Sequence, residues 1–375
     1  MQDDTTLLRL HTSLLLHQHP LVAKQLLDFC GDIDHIYPYL KAGNISGIRL
    51  PSSLKKVLEA HRRSSYQAHL NYITDWLSQP DCGLVCFDSA DYPSQLAQIA
   101  DPPLILFAHG NLKLLNHPQL AIVGSRNPTH YGRRVTRLFA EEIGKSGIVV
   151  TSGMAKGIDS AAHRGALDVG GSTIAVLGTG CDQTYPLENQ SLMREIASAG
   201  VFLSEFPPGT GPAPSHFPQR NRIVTGMTCG TIVVEARVRS GSLISARLAT
   251  EQGRGVIAVP GSVLSKQSEG CHYLLREGAQ LASSVADVIE ALCMSHPELR
   301  FHQSSAPVPT PKSLNRDQQR VLDAIDFEPR NIDSIVKQTG MVTTEVMQTL
   351  VELELIGFVN VVAGCYQLCR NRMPD

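Results

Sequence analysis

The segment Val150-Thr-Ser-Gly-Met-Ala-Lys-Gly-Ile-Asp-Ser-Ala-Ala-His163 brings together the residue types of an anion site. Ile148–Val150 is a short apolar run that reads as a buried strand, and small residues follow at Thr151, Ser152, Gly153, Ala155 and Gly157. Asp159 is expected to N-cap a helix beginning near Ser160. Accessible backbone N–H groups and the positive end of a helix dipole favour phosphate, and Lys156 adds a cation inside the turn. An ordinary strand–helix turn would need the same glycines for its backbone geometry, but not the lysine.

Three further clusters repeat this chemistry. Gly124-Ser125-Arg126 follows the run Leu120–Val123; its small residues would let phosphate approach the backbone, and Arg126 could hold it bidentately. Phe217-Pro-Gln-Arg-Asn-Arg222 sets two arginines around Asn221, just before the apolar Ile223-Val224. Arg220 and Arg222 suit phosphate contact and equally suit structural pairing with Glu205 or Glu235, and a division of one role to each is open. Glu235-Ala-Arg-Val-Arg-Ser-Gly-Ser242 ends another apolar run with Arg239 and a Ser240-Gly241-Ser242 helix start. Residues 121–260 hold 14 Lys/Arg against 10 Asp/Glu, whereas the whole chain carries a net charge of −2. Any polyanion site is therefore a local patch.

Catalytic patterns are sparse. Asp159 and His163 stand at i, i+4 without a positioned nucleophile, so a helix cap and a packed histidine explain them. No GxGxxG follows a strand, and no GxxxxGK[ST], seryl elbow or HExxH occurs. The nine cysteines are scattered without a CxxC, so no metal or cofactor is expected, and a reduced, cytoplasmic protein is the simplest reading. Gln2, Asp3 and Asp4 do not form the basic start of a signal peptide, and Leu14–Leu16 is too short to span a membrane.

The elements that must position these clusters follow from periodicity. Residues 1–80 read as a small helical domain, with helices at Leu7–Leu16, Leu21–Phe29 and Leu54–Leu77. Its turn Ala42-Gly-Asn-Ile-Ser-Gly47 fits half of a helix-hairpin-helix or a plain helix connection. Residues 81–295 alternate apolar runs, at 120–123, 148–151, 173–177, 201–204, 231–234 and 256–259, with amphipathic stretches. This α/β pattern predicts a Rossmann-like parallel sheet whose site lies at the strands' carboxyl ends. Residues 296–312, including Ser304–Pro311, form a Pro-rich linker. Residues 313–375 read as three helices and a hairpin, resembling a winged helix, yet its third helix, Thr343–Ile356, holds three glutamates and no Lys or Arg. That helix suits a protein contact better than a DNA groove.

The chain resembles the DNA processing protein A family (DprA, also called Smf). The matching pieces stand in order: Ile122-Val-Gly-Ser-Arg126, Ser152–His163, Thr173–Gly178, Tyr185-Pro186, Ser204-Glu205, Phe217–Ile223, Val234-Glu-Ala236, Ser240–Ser242, Ala258–Gly261, Gly270 and Glu277–Ala279. Lys156 stands where many members have arginine, keeping the charge but losing the bidentate fork. The resemblance implies a non-enzymatic protein that binds incoming single-stranded DNA, protects it and helps load the recombinase RecA during natural transformation. By position, Gly124, Ser125, Arg126, Gly153, Lys156, Gly157, Phe217, Arg220, Asn221, Arg222, Arg239, Ser240, Gly241 and Ser242 are the expected DNA contacts. The resemblance also implies a homodimer formed through the Rossmann-like domain, for which His272, Leu275 and Leu281 are the candidate face. The alternative is a Rossmann-like nucleotide phosphoribohydrolase, faintly echoed by Cys229–Glu235, which lacks that class's preceding Pro-Gly-Gly.

Overall fold

The computed structural model describes residues 4–42, 50–60, 64–293, 295, 296, 299, 315–325, 330–355, 358–362 and 364–368. The Gly43–Gly47 part of the candidate hairpin turn and the Ser304–Pro311 linker lie outside the described residues. The chain divides into two compact units, residues 1–302 and 303–375.

The first unit opens with α1 (Asp4–Leu16), α2 (Pro20–Cys30), α3 (Ile33–Ala42), α4 (Ser52–Ala60) and α5 (Ser64–Leu77). These helices share their apolar interior with the sheet rather than closing a core of their own. Leu10, Leu14, Leu70, Ile73 and Trp76 pack with Phe107 and Phe202, and Leu15, Leu26 and Ile36 pack with Cys86 and Ile105.

Among the described residues, nine strands form one sheet: β1 (Cys82–Cys86), β2 (Ile105–Gly110), β3 (Gln119–Val123), β4 (Val149–Ser152), β5 (Thr173–Val176), β6 (Val201–Ser204), β7 (Gly230–Val233), β8 (Gly255–Ala258) and β9 (Gln280–Leu281). Their spatial order is β1-β2-β6-β5-β4-β3-β7-β8-β9. The stretch from β6 to β9 is parallel, as the continuous apolar runs predict. The sequence pattern did not reveal β1 and β2, which add an antiparallel edge and carry the N-terminal helices.

The helices α6 (His130–Lys145), α7 (Ile158–Asp168), α8 (Gln190–Ala199), α9 (His216–Gly226), α10 (Gly241–Glu251), α11 (Glu269–Arg276) and α12 (Val285–Cys293) cover both faces. Alternation along each strand sorts them. Val150, Ile122 and Ile232 meet α6, α7 and α12 on one face, while Val149, Ala121 and Val233 meet α9, α10 and α11 on the other. The sequence reading left α9 unassigned because its apolar residues do not form a clean stripe; three of its buried side chains are His216, Arg220 and Arg222.

The second unit is α13 (Arg316–Asp323), α14 (Ile332–Thr339) and α15 (Thr343–Leu355), followed by the hairpin β10 (Val359–Val362) and β11 (Cys365–Leu368). Val321, Ile335, Val346, Leu350 and Leu353 close its core against Phe358 and Leu368. Asn315 and Asn331 cap α13 and α14, each accepting a backbone N–H three residues on. This is the expected winged helix.

Candidate functional site

The order of strands decides where the expected residues meet. From β3 the chain winds through β4 and β5 to β6, then returns to place β7 on the other side of β3. The crossovers from β3 and β7 leave to opposite directions, so their carboxyl ends open a crevice. A cleft of about 650 Å³ lies there. Gly124, Ser125 and Arg126 line it from β3, Gly153 from β4, Phe217, Arg220 and Asn221 from α9, and Arg239, Ser240, Gly241 and Ser242 from the approach to α10. Segments almost 120 residues apart in sequence are thus brought to one edge.

One of the helix ends facing this edge is already filled by a carboxylate. Glu235 sits at the start of α6, accepting hydrogen bonds from the Thr129 backbone N–H at 2.8 Å and its hydroxyl at 2.5 Å. Gly132 leaves the space, since a Cβ there would stand 2.4 Å from the Glu235 carboxylate. Asp159 fills the loop before α7, and the expectation that it caps its own helix is corrected. The α7 helix starts at Ile158, preceded by Gly157 at φ +86°. Gly157 does not line the cleft; it lets the turn close against the preceding loop, where a Cβ would lie 2.4 Å from the Ser125 carbonyl oxygen. Asp159, one residue inside, accepts instead from the backbone N–H groups of Gly153 at 3.2 Å and Ala155 at 3.3 Å. The amides that the sequence pattern offers to phosphate therefore hold an internal carboxylate.

Arg220 and Arg222 divide, with opposite fates. Arg220 is buried beneath the cleft and donates from Nη1 to the Val176 carbonyl at 2.9 Å. Gly153 is glycine because of it: a Cβ would fall 1.6 Å from that nitrogen. Burial pushes the Arg220 guanidinium down to about 10, against the pull of Asp159, and its Nε has no hydrogen-bond partner. Burial likewise raises the Asp159 carboxyl, with Arg220 opposing. Arg222 is a correction. It lies on another side of α9, donating to both Glu205 oxygens at 2.6 Å with Asp101 at 3.3 Å, and is as buried as its partner. A cation so neutralised cannot serve a ligand in the cleft.

The exposed cations differ again. The Arg126 guanidinium stands 5.6 Å over the Phe217 ring, and Tyr185 lies beside that ring at 5.5 Å. Arg126, Arg237 and Arg239 are exposed and have no ion pair among the described residues. Lys156 is paired with Glu188 beside a smaller pocket of about 80 Å³, which shares Arg126, Tyr185, Phe217 and Arg220 with the main cleft. The pairing holds the Glu188 carboxyl below its usual range. At α10 the Ser240 side chain makes no capping bond to the helix, in contrast to the start of α6, where Glu235 is bound.

Sequence reasoning missed Arg237, Tyr185, Asn127 and Gln267, all of which line the cleft. Arg237 stood in the quoted basic cluster and Tyr185 among the pieces of the family resemblance, but Gln267 gave no local signal because only folding brings it near. His163 is a packed histidine: Nδ1 meets the Thr173 hydroxyl at 2.7 Å, and burial pushes its pKa down to about 3. Among the candidate self-association residues, His272 bonds the Gly261 carbonyl at 3.0 Å, Leu275 packs partly against the core, and Leu281 is exposed on the edge strand β9. No cluster of three or more His, Cys, Asp or Glu that could hold a metal occurs among the described residues. No described helix is long and apolar enough to cross a membrane.

A parallel sheet whose switch point carries exposed arginines without ion pairs among the described residues, and a tilted pair of aromatic rings, defines an α/β protein with a cationic, aromatic edge. Comparison with known proteins places it further. Residues 83–293 match the family model of DNA recombination-mediator protein A, and residues 305–364 match the DprA winged helix domain. The chain belongs to the DNA processing protein A (DprA/Smf) family. It is 40% identical over 301 residues to Protein Smf of Escherichia coli (strain K12), covering 78% of each chain. It superposes on the structure of DNA processing protein A from Streptococcus pneumoniae with a TM-score of 0.65 at 37% identity, covering 78% of this chain and 98% of that one. A structure of the Helicobacter pylori protein, described for its unique single-stranded DNA binding mode, matches with a TM-score of 0.52 at 32% identity, over 57% of this chain and 96% of that one.

Proposed function

We propose that this chain binds single-stranded DNA along the carboxyl edge of its sheet, protects it, and helps load the recombinase RecA onto it during transformation or recombination. The observation that carries the reading is Arg126 set over Phe217, with Tyr185 beside it. A phosphate would meet the guanidinium while unstacked bases meet the rings, which every base can do and a stacked duplex cannot. Arg237 and Arg239 extend the positive edge, and Arg220 supplies buried positive charge beneath it. The naming of single-stranded DNA binding for the Helicobacter relative supports the same ligand. The protein acts as a binder, not an enzyme, and as a homodimer in the cytoplasm.

The phosphoribohydrolase reading is weakened by Glu235. That carboxylate, which the enzyme reading would need free, is bound to Thr129 at the start of α6. The deciding experiment is fluorescence-anisotropy titration of labelled oligo-dT across a salt series, beside a duplex of equal length and the Arg126→Ala variant. Tight single-strand binding that weakens with salt and collapses in the variant supports the reading. Absent binding at low salt, or release of base from a nucleoside monophosphate, overturns it.

A further inference from the structure

The two most solvent-exposed large apolar side chains among the described residues stand together on the loop between β8 and α11. Val263 is 85% exposed and Leu264 92%. The loop is held in place, with Ser265 N–H bonded to the Ser262 carbonyl and Ser268 N–H to the Ser265 carbonyl, both at 3.0 Å. Its far end is tied to the cleft, where Gln267 donates to the Asn127 carbonyl at 2.9 Å, next to Arg126 in sequence. Its near end is tied to Tyr131, whose hydroxyl bonds the Pro260 carbonyl at 3.2 Å while 48% of the residue stays exposed. Lys266, exposed between the apolar tip and Gln267, has no ion pair among the described residues.

We infer that Tyr131, Val263 and Leu264 form a second platform for unstacked bases, with Lys266 taking a phosphate, so that one DNA strand runs across Arg126 from Phe217 to this loop. The inference rests on the single-stranded DNA reading and extends it. Sheet order supplies the direction. Phe217 and Tyr185 lie over the ends of β4 and β5, Arg126 follows β3, and the loop follows β8, beyond β7. Three strand spacings separate β4 from β8, roughly 15 Å, which leaves room for several nucleotides between the platforms. A duplex fits neither, because its bases are already stacked. Rigid display of bare aliphatic side chains next to a cation matches a ligand that alternates apolar rings and phosphates.

The test compares oligo-dT of three and fifteen nucleotides at fixed salt, for the wild-type chain, Tyr131→Ala, Tyr131→Phe, and Val263→Ser combined with Leu264→Ser. These side chains are exposed, so the variants fold. The fifteen-mer should bind about fivefold or more weakly to Tyr131→Ala and to the loop variant, the three-mer, too short to reach both platforms, should be unaffected, and Tyr131→Phe should bind as wild type. A 2-aminopurine walked along the fifteen-mer should report two separated stacked positions, one of them lost in Tyr131→Ala. Unchanged fifteen-mer affinity in both variants overturns the second platform, provided Arg126→Ala weakens binding. A change in sedimentation of the loop variant with DNA affinity intact also overturns it and gives the tip to a second copy of the chain. Absence of oligo-dT binding by the wild-type protein removes the underlying reading together with this one.

Discussion

The carboxyl edge of the sheet and helix α15 of the winged unit both present charged, exposed side chains, and their charges are opposite. At the sheet edge, Arg126, Arg237 and Arg239 stand exposed and unpaired among the described residues, with the Phe217 and Tyr185 rings beside Arg126. On α15, Glu345 and Glu354 are exposed, Glu352 accepts from Gln318 and Gln348, and Met347 and Val351 lie bare at i, i+4. The winged-helix fold places such a helix in a DNA groove in proteins that read duplexes, where phosphate contact dominates affinity. This helix would repel the phosphates. The contrast teaches that fold type locates a surface, while the uncompensated charge on it decides the partner.

The comparison depends on counting only unpaired charge, and that gives the largest expected effect. Arg222→Ala should cost about 3–5 kcal/mol of stability, because it strands the buried Glu205 carboxylate. Urea unfolding should show this loss while the folded fraction keeps its oligo-dT affinity; lost affinity in a stable protein would put Arg222 back in the cleft. An acid effect follows in size. His163 is held down to about 3 when folded, so below its ordinary 6.5 the unfolded chain takes the proton first. Stability from this group falls as pH drops from 6.5 towards 3, by about 2 kcal/mol at pH 5, and His163→Leu should flatten that part of the curve.

At the site itself, Arg126→Ala should weaken oligo-dT binding about tenfold and lower the salt slope by about one. Lys156→Ala should lose less, because Lys156 is shared with Glu188, and Glu188→Ala should strengthen binding slightly by releasing it. Equal losses in the two alanine variants would erase the distinction between paired and unpaired cations. The smallest effect is expected on α15. Glu345→Lys with Glu354→Lys should create weak, salt-sensitive duplex binding worth about 1 kcal/mol or less and leave oligo-dT affinity alone. Substantial duplex binding by the unmodified chain would break the contrast.

The central architecture was legible because its signals are local. Continuous apolar runs such as Leu120–Val123 and Ile174–Val176, alternating with amphipathic stretches, read as strands covered on both faces, and small residues or arginines follow several of them. The antiparallel edge escaped because Cys82–Cys86 is short and glycine-broken, and its register with Ile105–Gly110 is a long-range pairing. Asp159 escaped for a subtler reason. Its type and position suit a cap, but Gly157 turns the chain early and moves the carboxylate onto the Gly153 and Ala155 amides.

By itself the sequence determined the parallel sheet, the winged-helix order of elements, and the four segments that meet at one edge, since each follows from apolar period and from residues at run ends. Only the tertiary structure decided which charges remain for a ligand. Arg220 and Arg222 are two positions apart and chemically identical, yet a helix turns them about 200° from one another. One comes to lie under the cleft beside Gly153, and the other is buried against Glu205. Charge is a property of the residue, but its availability depends on the partner that folding brings within reach.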